Sequence, residues 1–324
     1  MNSKTIGWGI IGCGNVTEVK SGPAYQKVDG FELVAVMRRD EEKVKDYAER
    51  HKVKKHYTDA DLLINDDDVD AVYIATPPDS HLEYALKVAK AGKPCCIEKP
   101  MAPSYEECKE ITLAFEIEKT PLFVAYYRRS LPRFLKVKEW LDQKYIGEVR
   151  QINWNYSCPP KDIDILDTYN WRTDAKIAKA GYFDDLACHG LDLFSYYFGN
   201  VRTAKGVSTN QLGLYTAKDA VTSSWIYENG ITGSGSWNFG SFCHKDEVEI
   251  IGSKGTIRFS VFKNEVVELD SETKQEKVFI EHPKHIQFYH VENMKRELMD
   301  RNFLHPSSGN SATHTAWVMD QILK

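Results

Sequence analysis

The segment IGWGIIGCGNVT, residues 6–17, decides the fold of the first half of the chain. It predicts an apolar strand over Ile6–Ile11 that leads into a turn with glycines at positions 12 and 14. At the end of a first strand, such a turn lets the backbone bend tightly and approach a pyrophosphate group. Thr17 stands where the usual pattern has a third glycine, and glycine pairs also occur in ordinary turns. The turn is therefore a candidate dinucleotide-binding site, and the surrounding sequence decides how specific this indication is.

Strands and helices alternate after this turn. Further apolar strands are predicted at residues 31–37, 69–75, 93–97 and 122–125, with helices at 40–49, 80–91 and 104–118 between them. This alternation predicts a parallel, doubly wound α/β sheet. We therefore expect a Rossmann dinucleotide-binding domain over residues 1–123.

The second half of the chain has a different pattern. Strand-like segments occur at residues 147–156, 220–227, 231–238 and 247–267, and Asn229-Gly230 predicts a hairpin turn between two of them. Helices are predicted at about 132–142, 183–198, 287–302 and 312–323. We expect residues 124–324 to form an α+β domain with a large, open, mainly antiparallel sheet that binds substrate and mediates oligomerisation.

The composition limits the classes of protein to consider. The 324 residues are 42% hydrophobic and 27% charged, with a net charge of −5, which argues against a nucleic-acid partner. No apolar stretch approaches the roughly 20 residues of a membrane span, and the first residues do not resemble a signal peptide. The seven cysteines are scattered without metal-ligand spacing, so we expect reduced, mostly buried thiols, no metal and a cytoplasmic protein.

The end of the second strand carries two arginines. NAD enzymes usually have an acidic residue there for the ribose hydroxyls, whereas this chain has Arg38 and Arg39. Two guanidinium groups suit a 2′-phosphate, although a pair of surface arginines is the simpler alternative. We therefore favour NADP(H) over NAD(H) as the cofactor.

A further strand ends in Glu98-Lys99-Pro100. Lysine and glutamate are seldom buried unless they are paired, and in open α/β sheets the carboxyl ends of strands lie at the ligand crevice. Lys99 there can exchange a proton with a ligand. The alternative is an ordinary strand end with solvated charges. A cis peptide bond before Pro100 would fix the direction of the lysine.

A helix in the second half carries a possible catalytic pair. Asp185 and His189 are four residues apart, and with Asp192 and Tyr196 they define one polar helix face. Asp185 can therefore lie beside the imidazole and fix its charge or tautomer. An isolated pair of this kind is more often a surface ion pair, so its interpretation depends on Lys99.

Taken in order, these motifs resemble the Gfo/Idh/MocA oxidoreductases over nearly the whole chain. The resemblance rests on the glycine turn, on Glu98-Lys99-Pro100, and on motifs at residues 76–81, 126–129, 171–172, 181–189 and 252–255. Two departures are Thr17 and the bulky Tyr182-Phe183 after Gly181, which suggest a looser loop and a differently shaped substrate pocket.

The resemblance implies a role for each matching residue. It implies a pyrophosphate loop of Gly12, Gly14, Asn15 and Val16 and a cofactor wall of Thr76, Pro77, Pro78 and His81. Glu98 and Lys99 would lie at the nicotinamide, and Trp171 and Arg172 would cover the cofactor. Asp185 and His189 would bind substrate and transfer a proton, with Lys99, Tyr127 and Arg128 as further substrate contacts.

The expected activity is hydride transfer between NADP(H), or NAD(H), and a carbinol or carbonyl carbon. The expected substrate is a sugar, a polyol or a related cyclic polyhydroxy compound. Two alternatives stay open: a redox-neutral NAD-dependent glycoside hydrolase and a non-catalytic dinucleotide-sensing regulator. The weakly charged strand at residues 221–227 also predicts a homodimer or homotetramer through the C-terminal sheet.

Overall fold

The computed structural model describes residues 5–300 and 302–324. Residues 1–4, which were expected not to form a signal peptide, and residue 301 of the helix predicted at 287–302 lie outside the described residues. The helices are α1 (Asn15–Val19), α2 (Gly22–Lys27), α3 (Glu41–His51), α4 (Ala60–Ile64), α5 (His81–Lys90), α6 (Tyr105–Glu118), α7 (Pro132–Asp142), α8 (Asp162–Ile165), α9 (Tyr182–Phe198), α10 (Phe288–Met299) and α11 (Gly309–Leu323). The strands are β1 (Ile6–Ile11), β2 (Phe31–Met37), β3 (Lys55–Tyr57), β4 (Ala71–Ile74), β5 (Cys95–Ile97), β6 (Leu122–Val124), β7 (Val149–Ser157), β8 (Val201–Thr209), β9 (Ala220–Tyr227), β10 (Thr232–Asn238), β11 (Lys245–Gly252), β12 (Gly255–Phe259), β13 (Val267–Ser271) and β14 (Gln275–Val278).

Strands β1–β6 form one parallel sheet in the order β3-β2-β1-β4-β5-β6. This is the strand order of a Rossmann fold. Strands β2 and β3 are added on one side of β1 and strands β4–β6 on the other, so the topological switch point lies between β1 and β4. The predicted parallel α/β sheet is therefore confirmed. The sequence did not predict β3, because this three-residue edge strand contains no apolar run.

Local signals begin and end the helices of this sheet. Asp40 caps α3, its carboxylate accepting a hydrogen bond of 3.0 Å from the amide of Lys43. The helix after the glycine turn is interrupted at Ser21, where α2 starts again with Pro23 in its first turn. Helix α3 lies where the sequence predicts a helix at residues 40–49, and the glycine turn directly follows the carboxyl end of β1.

Strands β7–β14 form a second sheet in the order β14-β13-β12-β11-β7-β10-β9-β8. The described pairs are antiparallel except β7 with β10, which is parallel, so the mainly antiparallel sheet is confirmed. Asn229-Gly230 connects β9 to β10 as predicted, with Gly230 at φ +87°. The segment predicted as one strand at 247–267 is divided between β11 and β12, and β8, β13 and β14 were not predicted.

Helix α9 packs directly against the second sheet. Trp154 of β7 is fully buried, and its ring meets Phe194 of α9 edge-on at 5.6 Å between centroids. A Cβ atom at Gly190 would lie 2.3 Å from the Trp154 ring, so only glycine allows this approach. The tight contact fixes the position of α9, which carries Asp185 and His189.

By its internal contacts, the chain divides into two compact units that differ from the expected division at residue 123/124. The first unit comprises Met1–Ser130 and Pro283–Thr313, and the second comprises Leu131–His282 and His314–Lys324. The segment 283–313 thus returns to the nucleotide-binding sheet.

Two buried histidines show why the segment 283–313 joins the first unit. His290 is fully buried, and its Nε2 atom lies 3.8 Å from the thiol of Cys96 on β5. The ring of His305 packs edge-on to that of His290 at 4.6 Å and close to Phe123 on β6 at 5.1 Å. Burial lowers the pKa of His305 to about 4 and that of His290 well below its usual value. Both side chains are therefore neutral core residues near pH 7.

Two further sequence expectations can be compared with the described residues. The cysteines are all free thiols, and six are buried while Cys243 is exposed. Among the described residues, every helix is too short or too polar to cross a bilayer.

Candidate active site

The glycine turn after β1 is shaped for close approach by a ligand. Gly12 has φ +91°, and a Cβ atom there would lie 2.6 Å from Cγ2 and 2.8 Å from the amide nitrogen of Thr76. At Gly14 a Cβ atom would meet only the carbonyl oxygen of Gly12, at 3.9 Å. The turn is therefore packed on its inner side and open at Gly14, as a pyrophosphate cradle requires.

Thr17 closes this turn from within. Its hydroxyl accepts a hydrogen bond of 3.0 Å from the amide of Gly14 and donates one of 2.8 Å to the Gly14 carbonyl. Its own carbonyl accepts from the hydroxyl of Tyr47 at 3.0 Å, and the side chain is fully buried. The expectation that Thr17 loosens the loop is therefore wrong, because the hydroxyl holds the loop to the helix. The amides of Asn15 and Val16, in the first turn of α1, have no intrahelical acceptor and suit phosphate oxygens.

Arg38 and Arg39 have different surroundings at the end of β2. The Arg38 guanidinium donates to the carbonyl of Cys13 at 3.3 Å, within the glycine turn, whereas Arg39 is exposed. The nearest acidic residue in the sequence, Asp40, is occupied as the cap of α3 and by Lys43 at 2.8 Å. The structure thus places one arginine against the turn and leaves the other at the surface.

His81 lies beneath the predicted cofactor wall and holds two segments together. Its Nε2 atom is 2.8 Å from the Thr76 carbonyl, and its Nδ1 atom is 3.1 Å from the carbonyls of both Pro100 and Met101. Burial lowers the pKa of His81, although these carbonyls act in the opposite direction. The His81 side chain is 1% exposed, so it holds the Thr76-Pro77-Pro78 segment from the protein interior.

The Glu98 carboxylate connects several segments at the end of β5. One oxygen accepts from the hydroxyl of Tyr73 at 2.5 Å and from the amide of Gln287 at 2.6 Å, and the other accepts from the amide of Lys99 at 3.2 Å. Tyr73 also lies 3.0 Å from the hydroxyl of Ser21. Lys99 follows, half-buried, and the Lys99–Pro100 peptide bond is cis. The pairing of Glu98 rules out a simple solvated strand end.

Tyr127 and Arg128 lie in a short 3₁₀ turn at Tyr127–Ser130. The Arg128 guanidinium stacks on the Tyr127 ring at 5.0 Å and is 6% exposed, while Tyr127 is half-buried. The neighbouring Arg129 donates to the carbonyl of Pro306 at 2.8 Å. This turn is thus fixed to the segment 283–313 of the same unit.

In the second unit, three of the predicted residues come together. The Nε atom of Arg172 lies 3.1 Å from the carboxylate of Asp185, and its guanidinium stacks on Trp171 at 4.3 Å. His189 is one turn further along α9, 5% exposed, with its ring 5.8 Å from that of Phe262. Asp192, expected on the same polar face, is instead fully buried, and Thr315 of α11 donates to it at 3.2 Å.

Sequence reasoning missed several residues around these groups. Tyr73 and Gln287 hold Glu98, but nothing local in either segment indicates that contact. Lys161 lies over the ring of Tyr182 at 3.7 Å, next to the Asp185 helix. The unusual Gly181-Tyr182-Phe183 sequence was the available signal for the contact between Lys161 and Tyr182.

Comparison with known proteins finds relatives of both halves of the chain. The model of an oxidoreductase family with an NAD-binding Rossmann fold matches residues 6–126, and that of the GFO/IDH/MocA C-terminal domain matches residues 134–258. Oxidoreductase P35 of Formosa agariphila is 40% identical over 316 residues, or 97% of each chain. Inositol 2-dehydrogenase 2 of Saccharopolyspora erythraea is 32% identical over 160 residues, 48% of this chain and 47% of that protein. A levoglucosan dehydrogenase structure, in complex with NADH and levoglucosan, has a TM-score of 0.85 at 22% identity and covers 98% of this chain and 96% of that chain.

The fold and the family models define an NAD(P)-dependent oxidoreductase of the dehydrogenase or reductase type. The chain belongs to the GFO/IDH/MocA oxidoreductase family.

The contacts of Thr17 predict a loss of cofactor affinity when its hydroxyl is removed. Thr17→Val keeps the branched shape but loses both hydrogen bonds to Gly14. At roughly 1 kcal/mol for each of the two buried hydrogen bonds, we expect the dissociation constants of NAD⁺ and NADP⁺ to rise about 30-fold in calorimetric titrations. Thr17→Ser should stay within about twofold of the natural protein. Unchanged affinity in the valine variant would show that the hydroxyl does not shape the loop.

Proposed function

We propose that this protein transfers hydride between NADP(H) or NAD(H) and a carbinol or carbonyl carbon of a sugar, a polyol or a related cyclic polyhydroxy compound. The observation that carries the proposal is the placement of Asp185 and His189 one turn apart on α9. Lys99, which follows β5 in the first unit, is the further residue that the proposal assigns to the reaction. The names of the inositol and levoglucosan dehydrogenases support the substrate class.

The cofactor-binding residues in this proposal follow the shape of the first unit. The open turn at Gly12 and Gly14, with the amides of Asn15 and Val16, would hold the pyrophosphate. The remaining predicted contacts are Arg38, Arg39, Thr76, Pro77, Pro78, Glu98 and Lys99 in the first unit, with His81 acting from below, and Trp171 and Arg172 in the second. A bound nicotinamide supplies or takes up the hydride.

The protein's own groups supply orientation and proton transfer. We assign the proton exchange with the substrate hydroxyl to His189, because an imidazole can donate when protonated and accept when neutral. Lys99 stabilises negative charge on the reacting oxygen, and Asp185 accepts hydrogen bonds from substrate hydroxyls. Tyr127 and Arg128 add further hydrogen bonds and an aromatic surface.

The proposed roles predict a loss of turnover in two single variants. His189→Asn should lower kcat by about 10²–10⁴-fold, the usual contribution of a positioned acid or base. Lys99→Met should lower it by about 10²–10³-fold, the usual contribution of a group that stabilises charge on the reacting oxygen. The measurement is the initial rate of NADH or NADPH formation on a panel of sugars and polyols.

Two exposed residues serve as matched controls for that experiment. Lys109→Met and His56→Asn remove the same groups from α6 and β3 and should leave kcat within about twofold. Near-normal turnover in both site variants would refute the assignment. Release of an aryl aglycone without net NADH formation would instead support the redox-neutral glycosidase.

The two arginines after β2 support a preference for NADP(H). Arg38→Ala combined with Arg39→Ala should raise KM for NADP⁺ at least tenfold, because contacts to a charged phosphate contribute about 1.5–3 kcal/mol each. KM for NAD⁺ should change much less, so the ratio of the two constants is the measurement. Arg202→Ala on β8, also exposed, is the control. An unchanged ratio would exclude both arginines from phosphate recognition.

We also propose that the second sheet mediates a homodimer or homotetramer. The outward side chains of β9 and β10 include Thr222, Ser224, Ser234 and Ser236, which are small and uncharged. Such a face can pack closely against another copy with little desolvation of charge. Light scattering at micromolar concentration should show a multiple of 37.1 kDa, and a monomer mass would contradict the proposal.

A further inference from the structure

The start of α9 departs from the family pattern, and its contacts give that departure a role. Tyr182, Asp185 and His189 occupy positions i, i+3 and i+7 and so share one helix face. Phe183 is fully buried on another face, with its ring 5.0 Å from that of Trp237. Phe183 therefore belongs to the core, whereas Tyr182 extends the face that carries the proposed substrate-binding residues.

The Tyr182 ring is held in place by neighbouring polar groups. Its hydroxyl donates to the carboxylate of Asp164 at 2.7 Å and accepts from the amide of Asn170 at 2.9 Å. The ammonium of Lys161 lies 3.7 Å from the ring centroid. The aromatic ring thus provides a fixed surface on which a cation rests.

The carboxylates around Lys161 are engaged with other groups. Asp185 pairs with Arg172 at 3.1 Å, and Asp164 accepts from Tyr182 and, at 3.4 Å, from Asn170. Within residues 5–300 and 302–324, no carboxylate lies within 4.0 Å of the Lys161 ammonium. The Lys161 side chain is exposed, yet desolvation by its neighbours and the charge of Arg172 lower its pKa, while Asp185, Cys158 and Asp164 act in the opposite direction.

Other lysines that stack on aromatic rings in this protein do have acidic partners. Their ion pairs, with nitrogen–oxygen distances, are Lys109 with Glu106 at 2.5 Å, Lys136 with Glu139 at 2.9 Å, Lys138 with Asp142 at 2.8 Å and Lys274 with Glu276 at 2.7 Å. Among the stacked lysines of the described chain, Lys161 alone differs. Asp185 and Asp164 are near enough to influence the Lys161 ammonium, but neither forms an ion pair with it.

We infer that Lys161, resting on Tyr182, binds the carboxylate of the substrate, and that the substrate is a sugar acid of the uronate or aldonate class. This inference rests on the proposed function and adds a specificity-determining residue to it. From Tyr182 to His189 the helix rises about 10 Å, which is comparable to one monosaccharide with its substituents. One end of such a substrate would meet Lys161, and a hydroxyl would meet Asp185 and His189.

The test compares matched acidic and neutral substrates. Initial rates are measured with saturating NAD⁺ or NADP⁺ on D-glucuronate against D-glucose, D-galacturonate against D-galactose, and D-gluconate against D-glucitol. The variants are Lys161→Met, Lys161→Arg and the control Lys274→Met, which removes a lysine stacked on Tyr145 elsewhere in the second unit.

The expected result is a higher kcat/KM for the acid of at least one pair. Lys161→Met should lower the ratio of acid to neutral kcat/KM at least tenfold, mainly through KM for the acid. Lys161→Arg should restore most of the ratio, and Lys274→Met should leave it unchanged. A ratio that moves by less than about twofold in Lys161→Met, or a preference for the neutral sugars, would overturn the inference and leave the proposed function standing.

Absence of turnover on all six compounds would count against the proposed function, and binding then decides the role of Lys161. Calorimetric titration of the NAD⁺-loaded protein should show that D-glucuronate binds and D-glucose does not. Lys161→Met should weaken the binding of D-glucuronate at least tenfold. Equal binding of both sugars, or no binding of glucuronate, would overturn the assignment of Lys161.

Discussion

The buried carboxylate of Glu98 is the constraint on which the first unit depends. A carboxylate that is 7% exposed must be compensated by hydrogen bonds, and here Tyr73, Gln287 and the amide of Lys99 provide them. Through Tyr73, the network reaches Ser21, whose hydroxyl donates to the Val16 carbonyl at 3.2 Å. The strand end that carries Lys99 and the turn expected to hold the pyrophosphate are therefore fixed by one set of contacts.

The second unit fixes its groups differently, through packing against a helix. Gly190 allows α9 to lie directly on Trp154, so the helix has little freedom to rotate or shift. Asp185 and His189 follow from that placement, and Arg172 is brought to Asp185 by the 3₁₀ turn capped by Asn170. In this unit the ion pair between Arg172 and Asp185 joins near neighbours, whereas the position of α9 is set by its packing in the core.

Features that depend on near neighbours could be predicted from the sequence. The glycine turn and the Asn229-Gly230 hairpin are each determined by a few adjacent residues, and each was found where expected. Strand β13 and the edge strand β14 were missed because charged residues such as Glu268 and Lys277 obscure their alternation. Edge strands need little apolar surface, so their sequences carry a weak signal.

The residue types at the site could also be predicted, but not their partners. Thr17 was recognised as unusual, yet its sequence position does not show that its hydroxyl closes the loop. His81 was expected on the cofactor wall, and only the carbonyls around it show that it acts from beneath. Asp192 lies on the same predicted helix face as His189, yet it is fully buried and accepts a hydrogen bond from Thr315 of α11. Sequence periodicity defines a face but does not show what covers it.

The return of the segment 283–313 to the first unit has a consequence for the order in which the protein is completed. Gln287 follows Glu98 by 189 residues, which a ribosome adds in about 10–40 s at 5–20 residues per second. For that interval the nascent nucleotide-binding sheet lacks a donor to its central carboxylate and two of its core histidines. The part of the protein that is made first is thus among the last to be finished.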